Sequence, residues 1–279
     1  MSGARLDSRY ALLSSHSSGD HFAIEPADLA NAEREGDEPV GYVHSYEAGS
    51  AVDGPGLRMV VFLTGCLLRC RYCHNPDTWH RLAGTRVTLT RMKREIDQYA
   101  NVLRLSGGGV TLSGGEPLVQ SEFASAVFRY CKALGVHTAL DTSGRLGERL
   151  NDEELRDVDL TLLDIKSGDP ATYVALTGQP LEPTLAFARR LSALGRRMWI
   201  RFVLVPGLTD APDNVEAVAA FAASLDGVER VEILRFHQLG RQKWHDLNLA
   251  YTLEDTEPPG DALVARVKAQ FRRHGLAVY

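Results

Sequence analysis

From Val40 onward, short apolar runs alternate with longer segments of helical period, and that alternation limits the chain to an α/β fold. The runs are Arg58–Leu63, Val110–Leu112, His137–Leu140, Leu160–Ile165, Met198–Val205 and Val231–Phe236. They are near-continuous in Val, Leu and Ile, as strands covered on both faces are. Between them lie Arg91–Tyr99, which follows Thr90 as a candidate N-cap, and Phe123–Leu134, which stops at Gly135. Leu181–Leu194 stops in the same way at Gly195, and Asp213–Ser224 and Ala262–His274 complete the set. Such an order gives a parallel sheet with helical crossovers. Six strands fit an incomplete (β/α) barrel or a doubly wound sheet, and periodicity does not choose between them. Residues 237–258 read as an irregular loop before the last helix.

A chain of 279 residues can bury its own core in one domain. Its 31 Lys+Arg against 36 Asp+Glu leave a net charge of −5, with no basic footprint for nucleic acid. No run approaches the ~18 apolar residues of a membrane span, and the first residues do not read as a secretory signal. Three of the four cysteines fall between Cys66 and Cys73, which points to metal in a reducing, cytoplasmic setting. Residues 1–39 are different material: serine clusters, then Glu33, Glu35, Asp37 and Glu38, then Pro39. They read as a mobile N-terminal extension with a short helix near Asp28–Arg34, and residues 40–279 as a single core domain.

The residues able to carry chemistry are not scattered. Gly65–Asn75, with Cys66, Cys70 and Cys73, follows the first run, and Ser113-Gly114-Gly115-Glu116-Pro117 closes the second. Asp141-Thr142-Ser143-Gly144 closes the third and Asp164-Ile165-Lys166 the fourth. Arg201 lies in the fifth, which ends near Pro206-Gly207, and the sixth ends at His237. In parallel α/β folds the carboxyl ends of the strands carry the ligand, so six segments converge on one rim.

The cysteine spacing is C-x3-C-x2-C. Soft thiolates suit zinc or an iron–sulfur cluster. A structural zinc wants four closed ligands, and the fourth here would be His74 or something remote. A cubane normally takes four cysteines; three leave one iron open for a substrate. Cys131, on an apolar helix stripe with Val127 and Leu134, reads as packing. The other motifs have plain readings too. Gly114 and Gly115 suit a tight turn, and Ser106-Gly107-Gly108-Gly109 a flexible one. Asp164 and Lys166 share a strand face and could be an ion pair, Asp141 a helix cap, and His237 a structural histidine. Arg201, between Ile200 and Phe202, does not suit a surface.

Cys66-x3-Cys70-x2-Cys73, with aromatic Tyr72 before the last cysteine, resembles the radical S-adenosylmethionine superfamily. The string from Val52-Asp53-Gly54-Pro55-Gly56 through Gly65–Trp79 is similar to the activators of glycyl-radical enzymes, and within them to the pyruvate formate-lyase-activating family. Ser106–Glu116, Leu140-Asp141-Thr142, Leu163–Lys166, Trp199-Ile200-Arg201 and His237–Gly240 with Lys243-Trp244 carry the same likeness in register from about Gly41. The preceding segment has no counterpart in compact family members, and Pro117 stands where close members carry a small residue.

The resemblance implies a partial (β/α)6 TIM-like barrel of the radical SAM type. It implies that Cys66, Cys70 and Cys73 hold a [4Fe-4S] cluster whose open iron chelates S-adenosylmethionine. Gly114, Gly115 and Glu116 would meet the methionine amino end. Asp164, Ile165, Lys166 and His237 would meet the methionine or ribose part, and Tyr72, Cys73 and His74 the adenine side. Asp141, Thr142, Asp164 and the Leu162 carbonyl match a monovalent-cation site. Asp53, Arg201 and Lys166 are the catalytic candidates, the first two facing a glycine-bearing peptide. The implied reaction is anaerobic. Flavodoxin or ferredoxin donates an electron, S-adenosylmethionine is cleaved to a 5′-deoxyadenosyl radical, and that radical takes the Cα hydrogen of one glycine of pyruvate formate-lyase. The rivals are an activase of another glycyl-radical enzyme, a radical enzyme acting on a small molecule, and a non-catalytic zinc-binding module.

Overall fold

The structure, a computed structural model, describes residues 33–279. Residues 1–32, most of the expected extension, lie outside the described residues. The strands are β1 (Glu33–Glu35), β2 (Glu38–Ser50), β3 (Arg58–Leu63), β4 (Thr85–Thr88), β5 (Gly109–Gly114), β6 (His137–Thr142), β7 (Leu160–Asp164), β8 (Met198–Leu204) and β9 (Val228–Arg235). They form one sheet in which β3, β5, β6, β7, β8 and β9 are parallel neighbours in that order. β1, β2 and β4 pair antiparallel at the β3 edge.

The two faces of the parallel strands are covered differently, and this decides between barrel and doubly wound sheet. Met59, Val61, Val110, Leu112, Leu140, Leu163, Ile200 and Phe202 point outward into one large apolar cluster. All the long helices reach that same cluster: α1 (Leu89–Leu105) through Met92 and Ile96, α2 (Ser121–Ala133) through Phe123 and Phe128, α4 (Glu182–Ala193) through Phe187 and Leu191. α5 (Pro212–Ala223) and α7 (Asp261–Arg273) join it through Val218 and Phe271. Truncating a fully buried member such as Phe128 costs about 3–5 kcal/mol. The opposite faces hold only the small cluster Ala139, Leu160, Leu162 and Trp199. Helices on one face and a narrow packed interior on the other make a partial barrel, open between β9 and β3 among the described residues.

Helix ends follow local chemistry. α2 and α4 stop before Gly135 (φ +67°) and Gly195 (φ +62°), where left-handed backbone closes the last turn. The α1 cap is Thr88, not Thr90: the Thr88 hydroxyl accepts from Arg91 N at 3.3 Å. Thr90 instead donates its hydroxyl to Glu38 Oε2 at 2.7 Å. Two short helices, α3 (Pro170–Thr177) and α6 (Arg241–Asp246), fall where the sequence shows no helical period; α6 lies inside the expected irregular loop. Glu33, Arg34 and Glu35 pair with Val40, Pro39 and Glu38, so residues 33–39, assigned above to the extension, form an edge hairpin. Glu33 and Arg34 are therefore strand, not the end of a helix.

Candidate active site

The parallel register stacks inward-facing side chains in rows. Leu162, Trp199 and Arg230 are partners across β7, β8 and β9; one step toward the carboxyl ends come Asp164, Arg201 and Glu232, then Val203 and Leu234. Above the apolar row a cavity of about 410 Å³ opens at the rim. Asp53, Cys66, Cys70, Tyr72, Cys73 and His74 line it, with Gly114, Gly115, Asp141, Thr142, Asp164, Lys166, Arg201 and His237. The expected site residues thus come together, with two exceptions. Ile165 is fully buried in the outer core. Glu116 lies beneath the wall, where its carboxylate accepts from the Thr142 hydroxyl (2.7 Å), Ser143 N (3.0 Å), the Ser143 hydroxyl (2.5 Å) and Leu118 N (3.2 Å). Burial raises its pKa and these donors work against that. Glu116 clamps the β6 exit turn.

The cysteine loop is fixed by backbone bonds to elements far away in sequence. Cys66 N donates to Trp79 O (2.9 Å), Arg69 N to Thr177 O (2.8 Å) and Arg71 N to Leu176 O (3.1 Å). Trp244 Nε1 donates to Cys73 O at 2.8 Å. Cys66, Cys70, Tyr72, Trp79 and Trp244 pack in one cluster, so the short helices α3 and α6 serve to seat this loop. Burial pushes the thiols up, Cys66 well above the ordinary value and Cys70 to about 12. Buried thiolates need a cationic core to ionise. Among the described residues no three His, Cys, Asp or Glu groups are placed to hold one ion. The loop fits a cubane, which spreads its thiolates over separate irons. The buried Tyr72 hydroxyl and Asp141 Oδ1 in the same wall have no protein partner, as a ligand-facing surface would.

The charges are arranged in fixed pairs. Lys166 Nζ lies 2.7 Å from Asp164 Oδ2. Burial opposes the Lys166 charge, yet Asp164 holds its pKa well above the ordinary value. Arg201 meets three carboxylates: Asp53 Oδ1 (3.4 Å), Asp141 Oδ2 (3.3 Å) and Glu232 Oε2 (3.1 Å). Its Nη2 also donates to Val52 O at 2.7 Å. Burial raises Asp141 to about 6, with Arg201 pulling the other way. Burial and neighbouring His237 depress His74 to about 4; the two rings stack at 4.1 Å. The sequence reading missed Glu232 and Arg230. Their alternation with Val231 and Ile233 on β9 was the available signal.

A partial six-stranded parallel barrel with a three-cysteine loop at its carboxyl rim defines the radical S-adenosylmethionine class of enzymes. The sequence profile of the Radical SAM superfamily matches residues 60–222. The pyruvate formate-lyase-activating enzyme of Staphylococcus epidermidis is 48% identical over 231 residues, covering 80% of this chain and 92% of that protein. Its counterpart in Staphylococcus aureus strain USA300 is 48% identical over 239 residues, covering 83% and 94%. Among solved structures, a domain of the pyruvate-formate lyase-activating enzyme from Bacteroides vulgatus matches with TM-score 0.52 and 27% identity, covering 62% of this chain and 98% of that one. Streptococcus suis SuiB bound to precursor peptide SuiA shares the fold, with TM-score 0.61 and 16% identity, over 81% of this chain and 49% of that one. The chain belongs to the pyruvate formate-lyase-activating enzyme family of the radical SAM superfamily. Its cofactors are those of that superfamily, a [4Fe-4S] cluster and S-adenosylmethionine.

Proposed function

We propose that this chain is the oxidoreductase that activates pyruvate formate-lyase under anaerobic conditions, by placing a radical on one glycine of that enzyme. The observation that supports this most is the joining of three buried thiols and a charged cavity at a single barrel rim. Cys66, Cys70 and Cys73 would hold the cluster. When bound, the cluster and S-adenosylmethionine supply the one-electron bond cleavage and the 5′-deoxyadenosyl radical that takes the glycine hydrogen.

The protein's own residues bind, orient and exclude water. Lys166 and Asp164, locked together, offer one cation and one anion to the amino acid end of the cofactor. Gly114 and Gly115 line the wall without side chains, so a charged amino group can approach the backbone. The Tyr72 hydroxyl is a buried donor waiting for an acceptor, and the stacked His74 and His237 wall the nucleoside side. Asp141, with one unpartnered oxygen, suits the family's monovalent-cation site together with Thr142 and Asp164. Asp53 and Arg201 face the incoming polypeptide.

A flavodoxin or ferredoxin is the proposed electron donor, in a cytoplasmic setting. No helix among the described residues is long and apolar enough to cross a membrane. The test is electron paramagnetic resonance of pyruvate formate-lyase incubated with the reduced, cluster-loaded protein and S-adenosylmethionine. A glycyl radical doublet is expected. Cofactor cleavage with no doublet on that partner, but one on another glycyl-radical enzyme, would reassign the substrate.

A further inference from the structure

Two glycine-rich stretches play no part in the site as described so far, Gly54-Pro55-Gly56 and Ser106–Gly109, and they meet. A Cβ on Gly56 would lie 2.5 Å from the Gly107 and Gly108 backbone, and one on Gly108 would lie 1.8 Å from Leu57 O. The strand entrance after Asp53 therefore passes the amino end of β5 backbone to backbone, a closeness that side chains forbid. Gly109 N seals the crossing by donating to Leu57 O at 3.1 Å.

Beneath it sits Arg58, with none of its surface exposed. Among the described residues no carboxylate forms an ion pair with it. Its Nε donates to the Thr111 hydroxyl (2.9 Å) and its Nη2 to Val110 O (2.7 Å). Its Nη1 reaches His137 Nδ1 (3.1 Å) and Pro55 O (3.5 Å). The Thr111 hydroxyl passes the contact on, donating to Asp53 O at 2.7 Å. The Asp53 carboxylate then accepts from the Ser50 hydroxyl at 2.6 Å and meets Arg201 Nη2 at 3.4 Å. Burying a guanidinium without a counter-charge is costly, and burial lowers its pKa to about 10. A Leu or Met would fill the volume without that cost. What the guanidinium adds is a hydrogen-bonded tie between the barrel floor and the loop that carries Asp53.

We propose that Arg58 and Thr111 are positioning residues for the radical reaction: they hold the Asp53–Gly56 loop so that the Asp53 carboxylate is presented to Arg201 where the polypeptide substrate enters. This rests on the assignment of Asp53 and Arg201 to the polypeptide side. The test uses the cluster-loaded protein, S-adenosylmethionine, a reductant and pyruvate formate-lyase at varied concentration.

Thr111→Val keeps the shape and removes the hydroxyl. It is expected to raise KM for pyruvate formate-lyase about tenfold, the factor matching one lost hydrogen bond, while 5′-deoxyadenosine release without partner stays unchanged. Thr111→Ser, which retains the hydroxyl, is expected to restore KM. Arg58→Lys is expected to move KM in the same direction as Thr111→Val; should Arg58 variants not fold, the Thr111 pair carries the test alone. In an Asp53→Asn background, Thr111→Val is expected to add nothing. A Thr111→Val protein with normal KM and only a lower Tm overturns the inference, as does a tenfold effect that persists in the Asp53→Asn background. Asp53→Asn with normal KM refutes the assignment of Asp53 itself, and this inference with it. Asp53→Asn impaired beside a normal Thr111→Val refutes the inference alone.

Discussion

Arg201 and Glu232 are register partners across β8 and β9, and Arg201 Nε donates to Glu232 Oε2 at 3.1 Å. Glu232 is held in turn by Arg230, whose Nη2 reaches its other oxygen at 2.5 Å while the guanidinium lies 3.3 Å from the centre of the Trp199 ring. The edge strand thereby supplies the third carboxylate around one buried cation. A guanidinium fixed by planar carboxylate contacts keeps its direction better than an ammonium would.

Arg201→Met leaves Asp53, Asp141 and Glu232 without their shared cation. We expect a loss of about 3–5 kcal/mol in urea unfolding, the scale of a broken buried pair. Glu232→Gln keeps the shape and is expected to cost about 1–3 kcal/mol. Equal, negligible losses in both would show that the cluster of charges is solvated in solution.

Cys70→Ala removes one of three thiols from a loop that packs in its own small cluster, apart from the main core. Iron per chain after anaerobic reconstitution is expected to fall to near zero, with the circular dichroism of the barrel unchanged. Full iron content in the variant would mean that Cys70 is not a ligand.

The sequence reading and the structure agree where physics is local. All six expected strands exist because buried parallel strands must be apolar nearly throughout, and the rim follows once their direction is known. The hairpin at Glu33–Val40 and the strand β2 were not legible: their residues mix Pro39, Gly41 and charges, and only pairing against β3 and β4 defines them. Glu116 shows a different limit. Its motif belongs to the rim, but Thr142 and Ser143, 26 and 27 positions away, decide that its side chain is a clamp. No spacing rule reveals that Arg58 reaches Thr111 and His137, since those contacts depend on register across three strands.

Glu116→Gln tests the clamp. Two charge-assisted contacts, to Thr142 and Ser143, weaken, and we expect about 1–3 kcal/mol of destabilisation. The loss is expected in the protein without cofactors as well. A variant of wild-type stability that fails only to bind S-adenosylmethionine would restore Glu116 as a direct ligand.

His137 gives a pH dependence. Burial first, and then the Arg58 charge, depress it to about 4 from 6.5. The folded state holds the ring neutral, so the unfolded chain takes up the proton first. Its contribution is complete above pH 6.5 and is lost as pH falls toward 4. His137→Asn keeps an acceptor for Arg58 and cannot titrate, so its urea midpoint is expected to fall less steeply between those limits. Parallel curves for the two proteins would contradict this.

The central claim is that this cavity brings a cofactor-derived radical to a glycine of pyruvate formate-lyase. The most direct measurement feeds the reduced, cluster-loaded protein with pyruvate formate-lyase whose glycines carry deuterium at Cα, and weighs the 5′-deoxyadenosine released. The account predicts transfer of one deuterium to that product, together with a glycyl radical on the partner. Unlabelled 5′-deoxyadenosine accompanying the radical would contradict it.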